Sequence, residues 1–498
     1  MNLYWGDIHN HCGISYGYGS LENALAAARE HLDFCSVTGH ASWHDMPARS
    51  PRLDFVIDFH QRGFAKLARN WDKVRQTLEA ANLPHQFVTF HSYEAHSLEY
   101  GDYHLLSPSA DLPIVPGGSP SEFAARLGSR PVILVPHHVA YVPGHRGIKW
   151  GAFSSTISPV VEVYSKHGCG ISDRGPYPYL HTMGPRDSRN TVRAGLAQGH
   201  RFGYVASTDH HAGYPGSYGD GRMAVLAEEK TRPAIWEAIL ARRTYAVTGD
   251  KIACRFQVNG ANMGSEVGQA SPRQIELWIT ACDWVDKIVV YKNSKPWRVI
   301  CGENLPPSGN ARAFKVRVEM GWGRSPEAFL WDGEVAVRDG LIVSVEPCFR
   351  GRSVLAPTRD RVDDPEINAL RNRIIRASAG RVEWQCTTFK NPTTLHSQTA
   401  MLIAWVGRLV LAVRLHRCAA SPQILCFRFV RDVPFAEPCE LVIIAVVAVA
   451  VHGASSRKTV FGIHEMRDQL CKLVPDLRRC SVGQRCTFIL GRISQTKI

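Results

Sequence analysis

From Leu3 to about Gly249, short β-type runs alternate with amphipathic helical ones, the pattern of a parallel α/β domain. Residues 4–8 read as a first strand, and Ser20 is placed to cap a helix in which Leu21, Leu25, Ala28 and Leu32 share one face. Residues 34–37 read as the second strand. A longer helix through Phe64, Leu67, Trp71, Val74 and Leu78 follows, then strands at 87–90, 132–135, 160–164 and 203–206, and a helix over 233–243 closes the unit. Beyond Gly249 the texture changes to β-type runs at 255–258, 275–280 and 287–292, so residues 250–345 are expected to form a small β-rich, sandwich-like module. Over 346–498 no period persists for long. That stretch stays unassigned, as a continuation of the β-rich module or an extension, with a compositional break of the kind a change of reading frame leaves.

A chain of 498 residues with 45% hydrophobic and 21% charged side chains is an ordinary globular protein, which excludes disorder and coiled coil as the dominant structure. The net charge of +13 suggests nucleic acid until it is located. Residues 346–498 hold 23 Lys and Arg against 12 Asp and Glu, and the first 345 residues carry only +2. No nucleic-acid partner is therefore expected. The 14 cysteines include no Cys-x-x-Cys pair, 8 of them fall from Cys348 onward, and the first seven residues lack a basic segment followed by an apolar one. Reduced thiols and a cytoplasmic location are the expectation. The longest clean apolar run, 441–451, would reach about 16 Å as a helix against roughly 30 Å of hydrocarbon, so it reads as a buried strand or helix and no membrane span is expected.

Histidine is skewed towards the first segment, where 18 of the 22 lie at or before His211. Imidazole is the commonest metal ligand and a general acid or base, so this enrichment points to a metal site. The polar clusters also fall at strand ends: Asp7, His9 and His11 after the first, His40 after the second, Glu94 after the third, His137 and His138 after another, and Asp209, His210 and His211 after the last. In a (β/α) barrel the carboxyl ends of the strands are where the loops converge on one cavity. His9 and His11, two apart on a strand, face one side with Asp7, so a single cation is within reach of all three. Glu94 supplies an anionic oxygen able to bridge two cations.

Gly-Asp-Ile-His-Asn-His at 6–11, Thr-Gly-His at 38–40, Tyr-Glu at 93–94, Pro-His-His at 136–138 and Ser-Thr-Asp-His-His at 207–211 occur in the order of the motifs of the polymerase and histidinol phosphatase (PHP) superfamily, which this half of the chain resembles. Asp33-Phe34, the run Glu-Val-Tyr-Ser-Lys-His-Gly from Glu162 and the run Arg-Arg-Thr-Tyr-Ala-Val-Thr-Gly ending at Gly249 resemble a bacterial branch classed as a domain of unknown function, in which a β-rich module follows the barrel. The resemblance implies a distorted seven-stranded (β/α) barrel over 1–249 that hydrolyses phosphoesters with two or three divalent transition metals, Zn, Mn or Fe. It implies that His9, His11, Glu94 and Asp209 hold the first metal, Glu94, His104 and His137 the second, and His40 and His211 the third, with Glu94, Asp209 and His40 as catalytic groups. The implied substrate is small and anionic, a phosphorylated compound, towards which Lys166, His167 and Arg186 are candidate sources of further positive charge.

Two positions depart from the superfamily pattern. Ser15-Tyr16-Gly17 stands where many members read Ser-Asp-Gly, and Thr38-Gly39-His40 where they read Thr-Asp-His. Both remove a carboxylate near His40 and His211, which implies a weakened third site, and Gly39 is read as a place of positive φ. An amidohydrolase-type barrel acting on a non-phosphate ester or amide is the alternative enzyme, although it needs no strand-end Glu94. A degenerate, non-catalytic barrel is the alternative outside enzymes.

Overall fold

The structure is a computed structural model describing residues 1–173, 185–269, 272–281, 285–301, 314–322, 329–349, 372–388, 399–415, 423–430 and 441–447. Its first 249 residues are mixed α/β. The strands are β1 (Asn2–Asp7), β2 (Phe34–Cys35), β3 (Gly39–Trp43), β4 (Val88–Thr89), β5 (His91–His96), β6 (Asp102–Ser107), β7 (Ile133–His137), β8 (Val160–Ser165), β9 (Gly168–Cys169), β10 (Gly203–Ala206), β11 (Arg222–Ala227) and β12 (Thr244–Val247). The helices are α1 (Leu21–His31), α2 (Asp54–Ala81), α3 (Pro120–Leu127), α4 (Val192–Ala197) and α5 (Arg232–Leu240).

Hydrogen bonding divides these strands into a five-stranded sheet ordered β12-β11-β1-β2-β4, a four-stranded sheet β3-β5-β6-β7 and a three-stranded sheet β10-β8-β9. The pairs β1–β2, β2–β4, β3–β5 and β8–β10 are parallel, as the alternation of runs led us to expect. The remainder is not. Five residues separate β5 from β6, too few for a crossover, so β5, β6 and β7 form an antiparallel meander, and β11 returns antiparallel to β1. The strictly parallel reading is corrected on this point.

Local signals explain the helices. The Ser20 side chain accepts from the Asn23 amide at the start of α1, and α1 buries Leu21, Ala24, Leu25, Ala27 and Ala28. Helix α2 buries Leu67, Trp71, Val74 and Leu78 in the same core. Gly63, in the middle of α2, costs about 1 kcal/mol against alanine, and a Cβ there would run into the Tyr16 ring. A second core, holding Ile8, Phe34, Val88, Phe90, Val135, Val160, Val205, Met223 and Val225, lies among the strands of all three sheets.

Past Gly249 the described residues are antiparallel strands. They are β13 (Ala253–Val258), β14 (Ala261–Asn262), β15 (Ile275–Thr280), β16 (Lys287–Lys292), β17 (Lys295–Cys301), β18 (Phe314–Trp322), β19 (Phe329–Cys348), β20 (Arg373–Ser378), β21 (Arg381–Thr388), β22 (Thr399–Leu415), β23 (Gln423–Val430) and β24 (Leu441–Val447). The last seven pair in the order β20-β21-β19-β22-β18-β23-β24. Strand β19 runs through position 345, and just beyond it Glu346 accepts from the buried Arg222 guanidinium at 2.6 Å while the Tyr218 amide donates to the Pro347 carbonyl. The apolar run starting at Leu441 is strand through Val447, and its last four residues lie outside the described ones. Among the described residues no helix is long and apolar enough to cross a membrane.

Candidate metal centre

Chain register brings the expected residues to one place. In the parallel β3–β5 pair His40 stands opposite Glu94, and in the antiparallel β5–β6 pair Glu94 stands opposite His104, so three polar groups line up across three strands. His104 thus comes from the amino-terminal half of an antiparallel strand, not from a carboxyl end. His9 and His11 lie just past β1, where the His11 amide donates to the His210 carbonyl and the Asp209 amide to the His9 carbonyl, both at 2.7 Å. That short ladder joins segments two hundred residues apart in the chain.

His9, His11, His40, Glu94, His104, His137, Asp209 and His211 are all buried, none more than 4% exposed. Glu94 is the hub. Its Oε2 lies 3.2 Å from His40 Nε2, 3.4 Å from His11 Nε2 and 3.6 Å from His9 Nε2, and its Oε1 lies 3.1 Å from His137 Nε2 and 3.2 Å from His96 Nδ1. Burial works against its charge, but the imidazoles of His96, His40 and His137 hold its pKa well below the usual carboxylate range. Asp209 is placed similarly: Oδ1 stands 3.1 Å from His11 and 3.6 Å from His211, while Oδ2 stands 3.0 Å from His138 and 3.1 Å from His167.

The outer ring nitrogens fix the orientation of several imidazoles. His9 Nδ1 meets the Glu162 carboxylate at 2.9 Å, His11 Nδ1 the Thr38 carbonyl at 2.6 Å, and His40 Nδ1 the Ser15 hydroxyl at 3.1 Å. Burial disfavours a charged His9, yet Glu162 and Asp209 outweigh it and raise its pKa well above the ordinary value. Burial raises Glu162 as well, and His9 Nδ1–H donates to its carboxylate. Burial pushes His40 and His104 the other way, well below the ordinary value, and keeps both neutral.

The donor set suits divalent cations. Among the described residues, sets of three ligand atoms within 4.8 Å of one another include His9, His104 and His137; His11, His40 and His211; His9, His11 and Asp209; His40, Glu94 and His96; and Asp102, His137 and His138. Among the described residues, His9 Nε2, Glu94 Oε2, both nitrogens of His104 and His137 Nδ1 are buried without a hydrogen-bond partner. Leaving such groups unmet costs about 1–3 kcal/mol each, and cations bound by imidazole and carboxylate would take up their lone pairs. The neighbouring Cys12 thiol, pushed up to about 12 by burial, stays protonated.

Some expectations are corrected. Asp7 does not face the cluster: it accepts from the Thr208 hydroxyl at 2.6 Å and the Gly216 amide at 2.8 Å, so it braces the 208–216 loop. Gly39 does not have positive φ. Its role is space, since a Cβ would come within 2.6 Å of Leu67 Cδ1 and 3.2 Å of Ile14 Cδ1. Tyr16 stacks on His40 with ring centroids 3.7 Å apart and meets His96 Nε2 through its hydroxyl at 3.1 Å. Lys166 reaches His211 Nδ1 at 3.2 Å, and Arg186 is exposed and pairs through its backbone with Tyr141.

Four participants escaped the sequence reading of the ligand set: His96, Asp102, His138 and Glu162. Two had a signal. Glu94/His96 and Asp102/His104 repeat the two-residue spacing of His9/His11, which puts each pair on one face. Glu162, a carboxylate embedded in the apolar strand β8, had a weaker one. His138 stands with His137 at a strand end in the sequence reading but is not among its ligands, because neighbours on a strand normally face opposite ways; β7 ends at His137, and His138 follows it with φ +51°.

Comparison with known proteins agrees in part. Residues 216–271 match the model of a family described as "Protein of unknown function (DUF3604)", a span that includes the Arg242–Gly249 run. An uncharacterised Chlamydia pneumoniae protein is 25% identical over 292 residues, 54% of this chain and 43% of that one. An uncharacterised Chlamydia trachomatis protein is 30% identical over 135 residues, 25% of this chain and 22% of that one. The chain therefore spans less than half the length of these curated relatives. Among solved structures, a two-domain Bacteroides vulgatus protein containing a predicted PHP-like metal-dependent phosphoesterase is 11% identical, covering 90% of this chain and 95% of that one at a TM-score of 0.32. A lesion-specific endonuclease from Pyrococcus furiosus is 13% identical, covering 48% and 56% at a TM-score of 0.29. Likenesses at that level carry no argument about activity, which rests on the site.

Proposed function

We propose that this chain is a metal-dependent hydrolase of phosphoric esters that works with two or three divalent transition cations, Zn, Mn or Fe. The observation that carries the reading is Glu94, one buried carboxylate whose two oxygens face separate imidazole groups while His9 Nε2 and its own Oε2 lack hydrogen-bond partners. In this reading His9, His11, Glu94 and Asp209 hold one cation, Glu94, His104 and His137 a second, and His40 and His211 contribute to a third. The reading also takes the three sheets of 1–249 as a distorted (β/α)7 barrel, supported by the strand core they share.

Cations held there would supply positive charge that could polarise a phosphoryl group and acidify an attacking water. The protein's own part is orientation and charge. Glu162, Thr38 and Ser15 turn the imidazoles inward. Glu94 would offset the repulsion between neighbouring dications. Lys166, beside His211, adds positive charge for an anionic substrate.

The test is elemental analysis of the purified full chain after metal supplementation, followed by a hydrolysis panel of phosphomonoesters, phosphodiesters, nucleotides, DNA and non-phosphate esters. We expect at least two equivalents of cation and turnover of a phosphoester. Less than half an equivalent, or turnover of non-phosphate esters alone, would overturn the reading.

A further inference from the structure

Asp209 carries two oxygens that face different surroundings. Oδ1 looks towards His9, His11 and His211, at 3.7, 3.1 and 3.6 Å. Oδ2 looks away from them, to His138 Nε2 at 3.0 Å and His167 Nε2 at 3.1 Å. The two outer imidazoles stand edge to face with centroids 5.0 Å apart, and both residues are 4% exposed. Neither is among the residues to which the resemblance assigns a cation.

We propose that Asp209 Oδ2, His138 Nε2 and His167 Nε2 form an additional divalent-cation site, so that Asp209 bridges it to the site of His9 and His11. This rests on the metal reading of the cluster. Two imidazole nitrogens and one carboxylate oxygen, with the remaining positions open, form a donor set used by first-row transition cations. The distance of each imidazole nitrogen from Oδ2 fits: ligands bonded at about 2.1 Å and set at a right angle stand about 3 Å apart. Those separations also suit imidazole donors hydrogen-bonded to a carboxylate, so the backbone supplies the second observation. His138 has φ +51° and Asp209 has φ +48°, two of the few non-glycine residues in the left-handed region. Such a conformation is uncommon for a side-chain-bearing residue and gathers where a site demands it. The two side chains meet here, His138 Nε2 at 3.0 Å from Asp209 Oδ2. His167 is fixed from the third direction by the tight β8–β9 turn, where its amide donates to Ser165 Oγ at 3.2 Å and the Lys166 amide to the Thr208 carbonyl at 3.3 Å.

Glutamine separates the two roles, because its amide still donates a hydrogen bond to Asp209 but is a poor cation ligand. The full chain is stripped with chelator and titrated with Co2+, following equivalents by elemental analysis and ligand-field absorption by spectroscopy. The double variant His138→Gln with His167→Gln should take up one equivalent fewer than the parent. If the double variant does not hold its melting profile, His167→Gln alone, in a turn, should weaken the last-bound equivalent tenfold or more. Equal uptake and equal affinity in a folded variant overturn the additional site and leave the two histidines as braces for Asp209. No uptake by the parent chain overturns the metal reading itself and this site with it.

Discussion

Two halves of one imidazole cluster are held in different ways. On the side of His9, His104 and His137, the Glu162 carboxylate sits behind His9 at 2.9 Å. On the side of His11, His40 and His211, the outer nitrogens meet neutral groups, the Thr38 carbonyl, the Ser15 hydroxyl and the Asp209 main-chain carbonyl, and the Lys166 ammonium stands 3.2 Å from His211. A carboxylate behind an imidazole makes it a stronger donor, whereas a nearby cation repels a dication. On the proposed metal reading, the first half would be the stronger cation site. Packing, not charge, occupies the two positions where the superfamily pattern has carboxylates. Tyr16 covers His40, and Gly39 admits Leu67 and Ile14.

Removing the group common to both halves should have the largest effect. Glu94→Gln keeps the shape but deletes the anion, so we expect phosphoesterase turnover to fall by about a hundredfold or more and at least one equivalent of cation to be lost. Turnover equal to the parent would show that neither half needs a bridge.

The contrast itself is tested by Glu162→Gln. Cation affinity of the His9 half should drop by about 10–100-fold, while Ser15→Ala should weaken the other half less. Chelator titration followed by elemental analysis reads the order of release: the parent should lose the His40 and His211 cation first, and Glu162→Gln should bring the two steps together. Unchanged order in that variant would remove the electrostatic explanation.

Gly39→Asp restores the carboxylate of the pattern, yet we expect loss of stability by about 1–3 kcal/mol, read from the denaturant midpoint, because the new Cβ overlaps Leu67. A stable variant that held its third cation longer would mean that the core yields to charge.

The smallest effect is a pH slope from an imidazole outside the cluster. His31 donates through Nε2 to the Pro215 carbonyl, and burial, with Arg222 nearby, pushes its pKa down to about 3. The unfolded chain takes up a proton there below about 6.5, the folded chain only near about 3, so stability falls as pH drops through that interval. Glutamine at 31 should flatten unfolding free energy against pH between about 4 and 6, by at most about 1.4 kcal/mol per pH unit. An unaltered slope would show that other groups dominate acid sensitivity.

Much of this architecture was legible in the chain. Ser20 capping Leu21–His31, the apolar stripe of Asp54–Ala81 and the strand Gly203–Ala206 follow from local pattern alone, because caps and periodicity act over a few residues. His9 and His11 on one face follow from a two-residue period, and the ordered motifs pointed to seven of the residues that meet in the cluster, with His104 added from its place in Gly-Asp-Tyr-His after Glu94. Tertiary structure decided the rest. The antiparallel return of Asp102–Ser107 sets His104 beside Glu94, a register no local pattern encodes. Asp7 turned from candidate ligand to loop brace because its carboxylate accepts from Thr208 and Gly216, two hundred residues away. His138 and Asp209 lie past the ends of their strands in left-handed backbone, where strand alternation no longer sets the side-chain direction. Residue type and spacing determine which chemistry is available. Which oxygen of Asp209 or Glu94 faces which imidazole depends on packing between distant segments, and sequence pattern does not carry that distance.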